Sequence, residues 1–419
     1  MKRKAAALAI GALFAAPAAH AQITFGNESV GTVQLYGKLY PQWAYAKGSG
    51  STQPGTQVST LSPPVTAVSD HGGRYSVDSG NSYLGFRGER GLGATGLKGI
   101  WQIEQSIDLD FSQGSAVAGT DKVGVFSNRN TFVGLGHRTF GTVKLGNMDT
   151  IYKEYGDTFS LFGISSGNFT SASNVLSQIG VGRKSDARFH ERTPNSIQYQ
   201  TADFAHFQAG IQYMPDEKKG DPGRAINKNL MSYGVKWDTE MFYASVHQEI
   251  HNDFFGASNN VAASIANSTT GPQHSRDSAT RFSGEVRFLQ SQRVVLDISR
   301  LHYVETGQTS SGKFMEYKKP NWAIGWDGGF GAYRLAVQYV RAGSGNCQLT
   351  GAVSCNTNGL ASSQLNLGAR YRFDRQTFVY LIASKLTNGP SAAHDNWGNG
   401  DPNRGEDMNQ WALGISYSF

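Results

Sequence analysis

The chain has 419 residues and a formal net charge of +6, which is enough length for one large domain or several ordinary ones. It contains 51 Gly, 23 Phe and 18 Tyr but only 12 Pro and 17% charged residues, a composition typical of glycine-punctuated β-structure. A coiled coil and a disordered chain are therefore excluded. No apolar run after residue 21 approaches the roughly 20 residues of a membrane helix. Lys and Arg are scattered, which argues against a nucleic-acid partner.

The N-terminus has the three parts of a secretory signal peptide. Basic residues 2–4 precede a small-residue apolar run over 5–19, and Ala19-His20-Ala21 fits the site that signal peptidase cuts. A retained membrane anchor is the alternative, but the run is too short for one. We predict that residues 1–21 are removed before Gln22, which leaves 22–419 as one domain with a net charge of +3.

Alternating segments of about ten residues recur along the remaining chain and predict antiparallel strands. The sixteen segments cover residues 32–45, 74–89, 95–110, 122–137, 139–147, 192–200, 204–214, 229–238, 240–251, 279–289, 292–304, 317–327, 331–342, 363–373, 375–386 and 408–419.

The last segment shows the alternation most clearly. One face carries apolar and aromatic residues: Trp411, Leu413, Ile415, Tyr417 and Phe419. The other face carries small or polar residues: Gln410, Ala412, Gly414, Ser416 and Ser418. In a soluble sandwich the aromatic face would meet a protein core, whereas in an outer-membrane barrel it would meet lipid. A single strand leaves both possibilities open.

The connections between segments distinguish the two. Short turns, such as 201–203 and 374–375, alternate with eight long loops. The long loops cover residues 46–73, 111–121, 148–191, 215–228, 252–278, 305–316, 343–362 and 387–407. Long loops on one side only are typical of outer-membrane barrels, and sixteen strands enclose an aqueous channel. We predict an all-β, 16-stranded antiparallel transmembrane β-barrel with short periplasmic turns and long extracellular loops.

Several motifs in this order resemble the Gram-negative general-diffusion porins, especially the neisserial and burkholderial type. They are Leu35-Tyr-Gly-Lys38, Tyr83-Leu-Gly-Phe-Arg-Gly-Glu89, Leu97-Lys-Gly-Ile-Trp-Gln-Ile-Glu104, Arg129-Asn-Thr-Phe-Val-Gly-Leu135, Phe140-Gly-Thr-Val-Lys-Leu-Gly146, Arg192-Thr-Pro-Asn-Ser196 and Tyr417-Ser-Phe419. The resemblance implies a homotrimer in contact with outer-membrane lipid and lipopolysaccharide, and a long third loop folded into each pore. It also implies that the barrel-assembly machinery reads Phe419, which is alternatively one more lipid-facing aromatic.

Basic side chains on the inner wall are the first candidates for a pore constriction. Alternation points Lys38 and Tyr40 inward on the first strand, and Tyr83 and Arg87 inward on the second. Lys38, Arg129 and Arg192 match positions that form a basic ladder in the family, whereas Tyr83 stands where relatives often carry Arg. The alternative is that these cations pair with lumen acids such as Glu89 or Glu104.

The third loop departs from the family pattern. Residues 158–182 contain no charged side chain, and Leu161 precedes Phe162 where relatives commonly place an acid. Glu154 and Asp157 are the remaining candidates for an acidic wall. We expect the constriction to carry net positive potential and to favour anions mildly, because salt screens charges across a wide pore.

Cys347 and Cys355 are the only cysteines and lie in a Gly/Ser/Asn-rich segment. An exported protein would oxidise them to a loop disulfide; the alternative, a metal site, would need more ligands nearby. We expect no cofactor, no metal and no catalytic residue.

Passive diffusion of small hydrophilic solutes is the leading function. One alternative is an outer-membrane enzyme or adhesin barrel with a plugged lumen. Another is a solute-selective channel, in which Tyr36, Tyr40 and Tyr83 form a sugar-stacking track.

Overall fold

The computed structural model describes residues 23–27, 31–56, 58–67, 70–109, 129–164, 168–182, 187–221, 225–289, 291–395 and 402–419. The predicted signal peptide, 1–21, lies outside them. No helix in the described ranges is long and apolar enough to cross a membrane.

Twenty strands and two short α-helices, α1 (Ile151–Gly156) and α2 (Ser173–Leu176), are present in the described residues. The strands are β1 (Ile23–Asn27), β2 (Gly31–Leu39), β3 (Gln42–Ser49), β4 (Arg74–Asp78), β5 (Tyr83–Gly91), β6 (Leu97–Ser106), β7 (Thr131–His137), β8 (Gly141–Asp149), β9 (Arg192–Gln200), β10 (Phe207–Met214), β11 (Asn229–Asp238), β12 (Phe242–Asn252), β13 (His274–Phe288), β14 (Gln292–Thr306), β15 (Phe314–Phe330), β16 (Tyr333–Ala342), β17 (Asn346–Leu349), β18 (Ser362–Arg372), β19 (Thr377–Asn388) and β20 (Asp407–Ser418).

These strands form a closed antiparallel barrel of sixteen, which confirms the predicted fold. β2 with β3 forms the first barrel strand and β4 with β5 the second, while β1 and β17 are short additions paired to β2 and β15. Pro41 separates β2 from β3, since proline has no N–H to donate to the ladder.

The last strand closes the barrel against the first. β20 pairs with β3 and with the end of β2. Gly37 N–H donates to the Phe419 carbonyl at 2.9 Å, and Phe419 N–H donates to the Gly37 carbonyl at 3.0 Å. A Cβ at Gly37 would lie 2.5 Å from the Phe419 ring, so the glycine lets the terminal ring cover the backbone of the first strand.

Burial follows the predicted alternation. On β20, Leu413, Ile415 and Tyr417 are exposed on the outer face, whereas Ala412 and Ser416 are buried on the inner face. A barrel with apolar side chains outside and polar ones inside suits hydrocarbon around a hydrated lumen. Closure also leaves no unpaired strand edge in the hydrocarbon, where each unpaired backbone group would cost several kcal/mol.

Among the described residues, short turns between strands alternate with longer connections. Differences lie at strand ends: β13 begins at His274 and not 279, and β15 begins at Phe314 and not 317. The added residues of β13 pair with β14, and those of β15 pair with β14 and β17. The outward positions of the first stretch are polar, His274, Arg276 and Ser278, so the apolar alternation used for prediction does not extend over it. Residues 346–349 form the unpredicted β17. Part of the predicted strand 122–137 lies outside the described residues, which begin again at Arg129.

Five extracellular loops pack together over the mouth of the barrel. They are L1 (50–73), L3 (150–191), L5 (253–273), L7 (343–361) and L8 (389–406). Leu61 of L1 is fully buried beside Val261 of L5 and Leu360 of L7, in a cluster that also contains Phe189 of L3. Cys347 and Cys355 are bonded within L7, with Cα atoms 5.7 Å apart.

Candidate functional site: the constriction of the lumen

L3 enters the lumen through α1, directly after β8. Thr150 caps the helix, because its Oγ1 accepts the N–H of Lys153 at 3.2 Å. The helix lies on the inner wall over Gly210 of β10, where a Cβ would meet the Ile151 Cδ1 at 2.6 Å. The absence of a side chain at Gly210 therefore lets L3 approach the wall closely.

Wall side chains fasten L3 along its length by donating to its carbonyl oxygens. These hydrogen bonds run from Tyr243 to Tyr155 (2.6 Å), Arg293 to Thr158 (3.1 Å), Asn321 to Leu176 (3.0 Å), Tyr303 to Ala187 (2.6 Å), Gln364 to Phe169 (2.6 Å) and Asn366 to Thr170 (2.9 Å). Because these donors come from strands between β12 and β18, L3 is held against the inner wall along that whole arc of the barrel.

The loop tip turns its apolar side chains to the wall. Leu161 and Phe162 were expected at the constriction, but both are buried between L3 and the barrel, with Phe159, Ile164 and Tyr40. Their contribution is to seat the tip, since burying such side chains contributes roughly 1.5–3 kcal/mol each.

Lys38 joins the barrel wall to the loop tip. Its Nζ donates to the carbonyl of Gly163 at 2.6 Å and lies 5.0 Å from the centroid of the Tyr40 ring. This cation therefore has a positioning role as well as a charge. Tyr40 is only 2% exposed and does not line open water.

Arg129 forms an ion pair with Glu104, and the two side chains are only 11% and 8% exposed. Its guanidinium also lies 4.8 Å from the centroid of the Tyr83 ring. Glu104 additionally accepts the hydroxyl of Tyr36 at 3.0 Å. Arg129 therefore fits the alternative given above, in which an acid on the lumen wall neutralises a cation of the basic ladder.

Arg87 lies on β5 in the same part of the wall. Its Nε donates to Gln34 at 2.9 Å, and its guanidinium lies 4.8 Å from the centroid of the Tyr36 ring. The neighbouring acid Glu89 forms an ion pair with Lys98 at 2.7 Å. The charge of Arg87 is thus held in place by polar and aromatic contacts.

Arg192 lies at the root of L3 and not at its tip. It binds Asp149 at 3.1 Å and Asn130 at 2.7 Å, and Asp149 also binds Lys153 at 3.0 Å. This cluster joins the end of β8 to the start of β9, so Arg192 anchors the base of the loop.

Glu154 and Asp157 supply acidic groups on the lumen side of L3. Both side chains are open to the lumen, one on α1 and the other at its C-terminus. Enclosure by the barrel wall raises the pKa of Asp157 above its ordinary value, and nearby Lys153 and Arg281 oppose the shift.

Arg370 of β18 is a lumen cation that the sequence interpretation missed. Its guanidinium lies 5.6 Å from the Phe162 ring and 4.9 Å from the Phe378 ring. The alternation of β18 could have found it, because Asn366 and Gly368 share its inward face.

The site therefore places Lys38 and Arg370 beside a loop tip that carries no charge, and Arg87 lies further along the wall. Such an arrangement can bias the passage of ions without holding them tightly. Within the described ranges, no group of three or more His, Cys, Asp or Glu could hold a metal ion.

The sequence profile described as Gram-negative porin matches residues 5–391. The chain belongs to the Gram-negative porin family. It is an outer-membrane protein, and the names of its curated relatives describe them as outer-membrane proteins too.

This porin is similar to the major outer membrane protein P.IB of Neisseria gonorrhoeae, with 33% identity over 149 residues, 36% of each chain. It is 27% identical to P.IA of Neisseria meningitidis serogroup C over 195 residues, 45% of this chain and 42% of that relative. The alignments thus span well under half of each relative's length.

Solved structures support the fold of the porin. The anion-selective porin from Comamonas acidovorans has a TM-score of 0.64 at 18% identity, covering 93% of this chain and all of that one. OmpF of Salmonella typhi, in complex with daunomycin, has a TM-score of 0.56 at 15% identity, covering 95% and 100% of the two chains.

Proposed function

We propose that the protein forms a permanently water-filled channel through which small hydrophilic solutes and ions diffuse passively across the outer membrane. The observation that carries this proposal is a closed barrel of sixteen strands, a number that encloses an aqueous channel, with polar side chains on its inner face. No energy source, cofactor or covalent step is needed, and the protein is a channel and not an enzyme.

A mild anion preference follows from the charges at the constriction. Arg129 and Arg192 are paired with Glu104 and Asp149, so the anion preference depends mainly on Lys38 and Arg370. Opposing them are Glu154 and Asp157. With a Debye length of about 8 Å at physiological ionic strength, the bias stays partial.

A sugar-stacking track is less well supported. Tyr36 and Tyr40 are 8% and 2% exposed, and the ring of Tyr83 is covered by Arg129. Sugar stacking requires open aromatic faces, so a general pore is the better interpretation.

We also propose how the channel matures and assembles. Removal of residues 1–21 yields the barrel domain 22–419, the barrel-assembly machinery reads Phe419, and three copies form a homotrimer in contact with lipid and lipopolysaccharide. One structural neighbour is described as the trimer form of OmpT of Vibrio cholerae.

The ion preference is tested by the zero-current potential of purified protein in a planar bilayer with a KCl gradient. We expect the sign given by chloride passing more easily than potassium. A potential of the cation-selective sign would contradict the proposed preference.

A further inference from the structure

The tip of L1, residues 59–62, contacts loops far from the strands that carry it. L1 joins the first and second strands of the barrel, whereas L5 joins the ninth and tenth, eight of the sixteen strands away. The backbone N–H of Ala262 in L5 nevertheless donates to the Leu61 carbonyl at 2.9 Å. The L1 tip therefore reaches a loop that begins on the opposite side of the barrel.

L7 and L8 hold the L1 tip as well. In L7, the backbone N–H of Asn356 donates to the Oγ1 of Thr60 at 3.0 Å, and its carbonyl accepts the backbone N–H of Thr60 at 3.0 Å. In L8, the carbonyl of Ser391 accepts the hydroxyl of Ser62 at 2.8 Å. Three loops thus fix the backbone on both sides of Leu61.

The side chain of Leu61 enters the apolar cluster that contains part of L3. Leu61 is fully buried there, together with Ile179, Val181 and Phe189 of L3. Wall residues such as Tyr303 complete the cluster. Because protein interiors are close-packed, each member supports the position of the others.

The L3 residues in this cluster belong to the segment that leads back to the wall, here called the return arm (177–182 and 187–190). Its two halves are joined, since Phe189 N–H donates to the Ser177 carbonyl at 2.9 Å and Gln178 pairs with Arg188. Ser177 directly follows α2, which lies against the inner wall. A displaced return arm would therefore pull on the part of L3 that lies inside the lumen.

We propose that the L1 tip holds the return arm in place, which makes Leu61 a positioning residue for the constriction. This inference rests on the proposed channel function. Loss of the Leu61 side chain would leave a cavity in the cluster, so the return arm would leave its packed position more often. Because L3 lies inside the lumen, these movements would modulate the current through an open channel.

The test compares Leu61→Ser, Leu61→Met and Val353→Ser with wild type. Val353 is an apolar residue of L7 that is 44% exposed, so V353S is the matched control for replacing an apolar loop residue by serine. Two quantities are measured: hydrogen exchange of the protein in detergent, and open-channel current noise in planar bilayers.

We expect the return arm of L61S to exchange at least about tenfold faster than that of wild type, and the current noise to rise. L61M restores both quantities, because methionine refills a similar volume. V353S matches wild type. Exchange in β11 stays at the wild-type rate in every variant, which shows that the barrel has folded.

Faster exchange confined to residues 58–62 in L61S, with the return arm and the noise as in wild type, would overturn the proposal, because Leu61 would then stabilise L1 alone. Failure of L61M to restore the return arm would also contradict it. Folded wild-type protein that carries no current would instead contradict the proposed channel, and exchange of the return arm would still decide the role of Leu61.

Discussion

At the scale of single residues, the lumen cations differ in whether their charge acts on the pore. Arg129 and Arg192 are held by acids and mainly stabilise the wall and the loop base. Lys38 has the carbonyl of Gly163 as its partner, and among the described residues no acid forms an ion pair with it. We therefore expect Lys38 to affect both ion preference and loop position.

Lys38→Met removes this charge and its hydrogen bond to Gly163 while preserving much of the side-chain volume. We expect the chloride-to-potassium permeability ratio to fall about twofold and the open-channel current noise to rise. Both quantities are measured on single channels in planar bilayers.

The matched control is Lys144→Met. Lys144 is also an inward cation, but it donates to Gln198 at 3.1 Å and lies over the Phe132 ring, away from L3. K144M should leave the noise unchanged. Equal noise in K38M and wild type would show that Lys38 does not hold the loop tip.

At the scale of elements, a buried clamp joins L3, L8 and the barrel wall. Lys319 of β15 donates to the carbonyls of Gln178 and Ile179 at 3.1 Å and contacts the Nε2 of His394 at 2.6 Å. His394 Nδ1 lies 2.8 Å from the Oγ of Ser362. Gly180, at φ +76°, is required here because a Cβ would lie 2.1 Å from the His394 ring.

This clamp predicts acid sensitivity. Burial, then the ammonium of Lys319, hold the pKa of His394 well below its usual value, so the folded loop needs the neutral ring. The contribution of neutral His394 to the stability of the folded loop is complete above about pH 6.5. It is lost as the pH falls below that value, because His394 in the released loop then binds a proton.

The expected result is faster hydrogen exchange of residues 178–180 and 389–395 at pH 5 than at pH 7.5, by up to about tenfold per pH unit below 6.5 after correction for intrinsic rates. His394→Gln, which keeps an acceptor for Lys319 but does not titrate, should abolish the acceleration. His206→Gln, in an exposed turn, is the control. Acceleration that persists in H394Q would contradict the assignment.

The disulfide of L7 predicts a local effect. It closes a short loop, with a sequence separation of 8, for which the chain-entropy estimate is about 2–3 kcal/mol. Cys347→Ser with Cys355→Ser should increase hydrogen exchange in 346–355 and leave channel conductance unchanged. Loss of the folded barrel in this double variant would show that the bond supports more than L7.

At the scale of the whole molecule, the barrel was predictable because lipid imposes one rule on every strand. The last strand was predicted at 408–419 and is observed at Asp407–Ser418, with the predicted faces. The same rule placed Lys38 and Arg87 inside, as their contacts with L3 and Tyr36 show.

The path of L3 was less predictable, because its residues contact the wall by tertiary packing and not by strand periodicity. Leu161 and Phe162 were expected to face the pore and instead lie against Gly368, a contact that requires knowledge of β18. The ion pair of Arg129 with Glu104 was likewise hard to predict, because it depends on how the residues before β7 align with β6.

The channel itself is tested most directly by the single-channel current of purified protein in a planar bilayer. We predict stepwise insertion of open channels with a conductance that rises in proportion to salt concentration, as for a wide aqueous pore. Protein that is folded and inserted but carries no current would contradict the water-filled barrel.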